Sequence, residues 1–465
     1  MDSQNTNQNL STLPVAVIGA GPVGLAAAAH LVQRGLTPLV FEASADIAAN
    51  FASFAQVKLF SPWRYNLDKA AVALLKKHHW SEPNLDDIPT AGEMIRHYLE
   101  PLAKLPEIAP HIKTASKVVA LSRLEANKVK TQGRDQQPFV IRVETPQGQE
   151  EFLAQAILDA SGTWNQPNPM GSNGLPALGE EALKEHISYG MPDILGKFKP
   201  QFAHKRVLVV GSGHSAAGNL IALSQLAESA PDTQIFWAIR GENFTRIFGG
   251  GSADGLPARG ALGQRLKALK ESGQLTLYTQ FNTQQLTSTA NGIAVVSHNG
   301  QRIEAIDEMI VSTGSRPNLT MNRELRIQLD AWLESTEALA PLIDPNDHSC
   351  GTVRPHGYQE LAHPETNYYM VGAKSYGRAP NFLMATGYEQ VRSIVDALVG
   401  DMQSANDVQL DLPQTGVCNS TFEGSDASEL QQNGCCGIKP TKPAHHLVVR
   451  QNRLVVVKPI YSVHR

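Results

Sequence analysis

The sequence predicts an α/β protein of two Rossmann-like, three-layer dinucleotide-binding domains, the second inserted into the first, with an irregular C-terminal tail. Three observations carry this. Two short apolar runs, Val15–Ile18 and Arg206–Val210, each lead into a glycine-rich turn and then a helical stretch. Each unit continues into a further apolar run, and these runs end in opposite charges, Glu42 and Arg240. Two more runs, Ala156–Trp164 and Glu308–Pro317, bracket the second unit and end in small, Gly- or Pro-containing chain suited to crossings between nested domains.

In the first unit, Val15–Ile18 reads as a buried parallel strand. Gly19-Ala20-Gly21-Pro22-Val23-Gly24 follows, then a helix over 25–33 and a strand over 38–41 ending in Glu42. Gly19 permits the tight turn, Gly21 lets backbone N–H groups approach a pyrophosphate, and Gly24 lets helix and strand touch. The helix N-terminus lends partial positive charge to the phosphates. An acid at position 42 accepts hydrogen bonds from a ribose and repels a 2′-phosphate, which fits FAD or NAD.

In the second unit the strand Arg206–Val210 leads into Gly211-Ser212-Gly213-His214-Ser215-Ala216, then a helix over about 217–226 and a strand over 234–239. The strand ends in Arg240, and a planar, permanently charged guanidinium is the usual partner of a 2′-phosphate. The contrast between Glu42 and Arg240 assigns FAD to the first unit and NADPH to the second, with a solvated strand-end charge as the plainer reading of Arg240. The expected partition is a disordered N-terminus over 1–13, a FAD domain over 14–164 and 317–400, an NADPH domain over 165–316, and a polar tail over 401–465.

Length and composition agree. At about 150 residues per domain, 465 residues make about three domains. Hydrophobic residues make up 42% and charged residues 18%, which excludes wholesale disorder. A net charge of -4 lacks the basic excess of a nucleic-acid binder. The apolar stretch 13–29 has no Lys or Arg before Arg34 and is broken by glycines and a proline, so it reads neither as a signal peptide nor as a membrane span. The expectation is a cytoplasmic protein with no membrane and no nucleic-acid partner.

These residues resemble the two-dinucleotide flavoprotein superfamily and, within it, the class B flavin monooxygenase-like branch. Gly211-x-Gly213-x-Ser215-Ala216 is similar to the NADPH fingerprint of that branch, and Ala160-Ser161-Gly162-Thr163-Trp164-x-x-Pro167 to its A-T-G segment. Two runs, Phe60–Asn66 and Lys374–Pro380, resemble more narrowly the ArsO- and CzcO-type flavoproteins encoded beside metal and arsenic resistance genes. The resemblance implies FAD and NADPH as cofactors and a small molecule and O₂ as substrates. The expected cofactor contacts are Gly19, Gly21, Gly24, Glu42, Trp63, Gly162, Gly211, Gly213, Ser215, Arg240, Gly314 and Gly372. Trp63 is a candidate to stack on the flavin, with a packed aromatic loop as the alternative. Lys374 and Arg378 follow a strand end where open α/β sheets bind ligands, with solvated charge as the alternative.

The sequence also departs from that branch. Its F-x-G-x-x-x-H motif is replaced by Gly179–Tyr189, with His186 at the wrong spacing, and its late Gly-Asp by Gly372-Ala373. All four cysteines, Cys350, Cys418, Cys435 and Cys436, lie late. A redox-active pair beside the flavin, as disulfide reductases of this fold need, is therefore excluded at its usual positions. Adjacent Cys435 and Cys436, with Cα atoms ~3.8 Å apart against a preferred ~4.4–6.8 Å, would make a strained disulfide. As thiolates they suit soft ions, with Cys418 as a third sulfur. They are the candidate metal ligands, similar to the tail of mercuric reductases, with free thiols in a disordered tail as the alternative. The functional expectation is an FAD-containing, NADPH-dependent monooxygenase acting through a C4a-(hydro)peroxyflavin. The alternatives are an NADPH-driven metal or metalloid reductase using Cys435 and Cys436, and a non-catalytic flavin redox sensor.

Overall fold

The computed structural model describes residues 10–242, 244, 248, 257–347, 353–380 and 382–410. Two parallel five-stranded sheets organise them. The first runs Tyr368–Met370, Ala156–Asp159, Val15–Ile18, Pro38–Phe41, Ile112–Lys113 in spatial order. The second runs Leu275–Tyr278, Gln234–Ala238, Arg206–Val210, Glu308–Val311, Ile187–Tyr189. In both, the strand entering the glycine loop is central, paired on each side. The chain leaves the first sheet after Asp159, builds the whole second sheet, and returns at Tyr368.

Each sheet is the middle of three layers, because successive side chains point to opposite faces. Val15, Val17 and Leu158 pack under the Pro22–Gln33 and Met384–Leu398 helices, with Leu25, Ala26, Val391 and Ile394. Ala16, Ile18, Ile157, Tyr368 and Met370 pack instead against an antiparallel meander of Lys117–Arg123, Phe139–Thr145 and Gly148–Ala154. The second sheet repeats the scheme. Val207, Val209 and Trp237 lie under the His214–Ser229 and Pro257–Glu271 helices. Leu208, Val210, Phe236 and Met309 meet a second meander, Thr283–Thr289, Gly292–Ser297 and Arg302–Ile306.

Both ends of the described chain differ from expectation. Residues 10–12 form a 3₁₀ turn, and Gln155 holds it by donating to the Leu13 carbonyl. Residues 401–410, expected as the start of the tail, are strapped to the preceding helix. Arg392 donates to the carbonyls of Ser404 and Asp407 at 2.7 and 2.6 Å, and Asp401 caps the Met402–Asn406 helix through the Ser404 N–H. No described helix is long and apolar enough to cross a membrane.

Candidate functional site

The first glycine loop is a tight frame with one opening. Gly19 has φ +100°, and a Cβ there would lie 2.8 Å from the Ala160 carbonyl oxygen. At Gly24 a Cβ would come within 1.9 Å of the Gly19 oxygen, so strand turn and helix touch backbone to backbone. At Gly21, by contrast, no atom beyond its chain neighbours lies within 4 Å of a Cβ position. Gly21 is also the N-cap of the Pro22–Gln33 helix and puts no side chain over its first amides. Open space in front of uncapped amides fits a pyrophosphate. Glu42 is fixed beside this frame. Its carboxylate accepts from the Ala20 N–H at 2.9 Å and the Ser44 N–H at 3.0 Å, and the residue is half-buried. A shallow cleft of about 300 Å³ nearby, lined by Lys113, Ser116, Gln147 and Phe152 among others, holds none of the loop residues.

The second loop repeats the frame at the end of Arg206–Val210. Gly211 has φ +135°, and its Cβ position is 2.3 Å from the Ser312 carbonyl oxygen. The Gly211 carbonyl accepts from the Trp237 ring N–H at 2.8 Å. Gly213 is open and forms the N-cap of the 16-residue helix His214–Ser229. Ala216 is fully buried, while Ser212, Gly213 and His214 are exposed and Ser215 is half-buried. Arg240 stands exposed two residues beyond its strand, with one 3.3 Å hydrogen bond to the Ser172 carbonyl.

The segments carrying Gly162 and Gly314 run side by side. Both glycines have positive φ, +70° and +85°. Ser315 donates to the Thr163 hydroxyl at 2.8 Å, Asn168 N–H to the Gly314 carbonyl at 2.9 Å, and Thr313 to the Asn168 carbonyl at 2.7 Å. The loop after the first βαβ unit reaches across to the second half. Phe54 packs on Trp164 with ring centroids 4.7 Å apart, Phe60 meets His214 edge-on at 5.0 Å, and Gln56 donates to the Met191 carbonyl at 3.1 Å.

Other expected residues sit elsewhere. Trp63 is packed in the core of the first half, 5% exposed, so its ring is core and the packed-loop alternative describes it. Arg378 pairs with Glu334 at the surface. Lys374 is neither a ligand-facing nor a solvated charge. It is fully buried and donates to Asp159 at 2.6 Å and to the Ser161 hydroxyl at 3.1 Å. Gly372 turns with φ +66°, and its N–H donates to Gln390 at 2.8 Å. The Gly179–Tyr189 stretch is structural. Glu180 ties Met170, Ala177 and Tyr189 together, and exposed His186 lies against the Asp307 carbonyl. Cys350, Cys418, Cys435 and Cys436 lie outside the described residues.

A polar cluster with no local signature in the sequence surrounds Asp159. The Tyr368 hydroxyl donates to it at 3.0 Å, and burial, then the Asp159 carboxylate, holds this phenol well above its usual range. His363 packs on the Tyr368 ring at 5.6 Å, and burial pushes its pKa down to about 4. A lone Asp at a strand end and a Lys more than two hundred positions later carry no local signal of their pairing.

A family model described as pyridine nucleotide-disulphide oxidoreductase matches residues 16–352. Human flavin-containing monooxygenase 1 is 26% identical over 246 residues, covering 51% of this chain. Indole-3-pyruvate monooxygenase YUCCA6 of Arabidopsis thaliana is 28% identical over 202 residues, covering 43%. The match spans 42% of the length of each of these relatives. Among solved structures, the bacillithiol disulfide reductase of Bacillus cereus superposes with a TM-score of 0.60 at 16% identity, over 84% of this chain and 99% of that one. At that identity the likeness is one of fold. With the two glycine loops and the two parallel sheets in place, the match over most of the chain assigns the protein to the pyridine nucleotide-disulphide oxidoreductase family.

Proposed function

We propose that this chain is an FAD-containing, NADPH-dependent monooxygenase that oxygenates a small molecule with O₂. The observation that carries it is the pair of open glycine frames with opposite charges beside them, Glu42 fixed by two amides and Arg240 exposed. In this reading the FAD domain comprises 14–164 and 317–400, and the NADPH domain 165–316. The amides behind Gly21 hold the FAD pyrophosphate and Glu42 its ribose. Those behind Gly213, with Ser215, hold the NADPH pyrophosphate, and Arg240 its 2′-phosphate. When bound, FAD supplies hydride acceptance from NADPH and electron delivery to O₂. The protein contributes orientation and exclusion of water, for which Phe54, Phe60 and Trp164 line the crossing between the halves.

Two facts favour oxygenation over disulfide reduction. No cysteine occurs among residues 1–349 and Cys350 is single within the two halves, so neither half has the cysteine pair that a disulfide reductase uses to receive electrons. The human and Arabidopsis thaliana relatives are monooxygenases by name. The runs Phe60–Asn66 and Lys374–Pro380 support the narrower likeness to the ArsO- and CzcO-type proteins, and a cytoplasmic location accords with this reading.

The test is O₂ uptake by the purified, NADPH-supplied protein over a panel of small amines, thioethers and ketones. Expected is a yellow protein whose O₂ uptake is coupled to oxygenated product and is unchanged by Cys435→Ser/Cys436→Ser. Metal-stimulated NADPH oxidation that this double substitution abolishes would replace the proposal with a metal reductase. Flavin reduction with neither outcome would leave a sensor.

A further inference from the structure

We infer that Lys374 and Asp159 form a buried ionic pin that clamps the first phosphate loop from both sides, making Lys374 a positioning residue for FAD that never touches it. The inference rests on the FAD reading above. Both side chains have no exposed surface, and they meet at 2.6 Å. Asp159 is saturated. One oxygen takes Lys374 and the Tyr368 hydroxyl, and the other takes the Ser161 N–H at 3.2 Å and the Ser161 hydroxyl at 2.7 Å.

The pin joins two segments, and each abuts the glycine frame. Ala160, next to Asp159, is the residue whose carbonyl lies 2.8 Å from the Gly19 Cβ position. Gly372, two residues before Lys374, packs on Val23 in the first turn of the phosphate helix, its Cβ position 3.2 Å from a Val23 methyl. The second segment is held from its other side as well. Gln390 accepts from the Gly372 N–H, and Ser375 closes back on the Gly372 carbonyl at 2.7 Å. A shift of the pin therefore moves both walls of the loop.

Stability alone does not explain such a pair. Desolvating two charges costs about as much as their attraction returns, and a well-packed apolar pair is often equally stable. What a saturated, directional pair supplies is register. It sits where a Gly-Asp would stand in the resembling branch, and here Ala373 cannot play that part. Fixing the loop walls from behind is a way for this strand end to order the cofactor without a carboxylate at position 373.

The test compares Lys374→Met, Asp159→Asn/Lys374→Met and Ser161→Ala with the wild-type chain. Measured are Tm of the FAD-stripped protein, the FAD dissociation constant on reconstitution, and the visible circular dichroism of bound flavin. Lys374→Met leaves a buried unpaired carboxylate and is expected to lower Tm and flavin content together. The double substitution removes both charges and is expected to recover most of the lost Tm, with FAD affinity still at least tenfold weaker and an altered flavin dichroism. Ser161→Ala, the mildest change, is expected to keep its Tm and weaken FAD about threefold. Wild-type affinity and dichroism in either of the last two variants, once folded, would overturn the pin. A wild-type chain that stays colourless after soaking in FAD would overturn the flavin reading itself.

Discussion

The two phosphate loops follow one plan, yet the chain commits far more structure to the first. Gly24 touches Gly19 backbone to backbone, Glu42 is held by two amides, and the Pro22–Gln33 helix is buried along nearly its whole length. The second loop accepts a side chain at the matching position, Ala216, leaves Ser212–His214 exposed, and carries its charge on an arm with one long hydrogen bond. A site that must keep its ligand can afford rigidity and burial, since it pays the ordering entropy once, during folding. A site that exchanges its ligand every turnover needs access. This difference in construction is what the proposed function asks of a resident FAD and an exchanging NADPH.

The largest effect should come from closing the first frame. Gly24→Ala places a methyl within 1.9 Å of a backbone oxygen that cannot step aside, and is expected to cost about 3 kcal/mol and abolish FAD retention. Flavin absorbance of the purified variant checks it, and a yellow, stable variant would break the comparison.

Acid should separate the two regions next. His363 and His356, both in the half that holds the first loop, are kept neutral by burial, His363 with a pKa of about 4 against 6.5. A lowered folded pKa means stability fully present above pH 6.5 and lost as pH falls toward 4. The loss for His363 approaches about 3 kcal/mol, at about 1.4 kcal/mol per unit. Urea midpoints between pH 7 and pH 4 measure this, and His363→Gln should flatten the slope. An unchanged slope would remove His363 from the account.

Arg240→Ala sharpens the comparison from the other side. Losing a charge-assisted contact to a 2′-phosphate costs about 2 kcal/mol, some thirtyfold in the KM for NADPH, with NADH and FAD content nearly unchanged. Equal losses for both nucleotides would make Arg240 a plain surface charge. Ala216→Gly should be the smallest change, about 1–2 kcal/mol from helix propensity and one lost buried methyl, and no loss of flavin. A thermal melt with a flavin assay would detect anything larger.

The sequence carried the frames well because their signals are local. The strands at 15–18, 38–41 and 206–210 lie where the apolar runs put them, bounded by glycine and charge. The helices begin earlier than the apolar pattern suggests, at Pro22 and His214, because the glycine itself is the N-cap and no side chain announces it. The meanders were not legible. Lys117–Arg123 and Gly148–Ala154 mix charge with apolar residues, and only pairing with Phe139–Thr145 makes them a sheet. Lys374 departs from both of its expected settings for a related reason. A lysine in a loop suggests solvent until the fold supplies a carboxylate to neutralise it.

The paired crossings at 160–168 and 312–317 have a mechanical consequence. Two chain segments that run together and are stitched by Ser315, Asn168 and Thr313 behave as a two-leaf strap. Two leaves join the halves covalently at two places instead of one. One proteolytic cut in either leaf would therefore leave both halves attached, and separating them would take two.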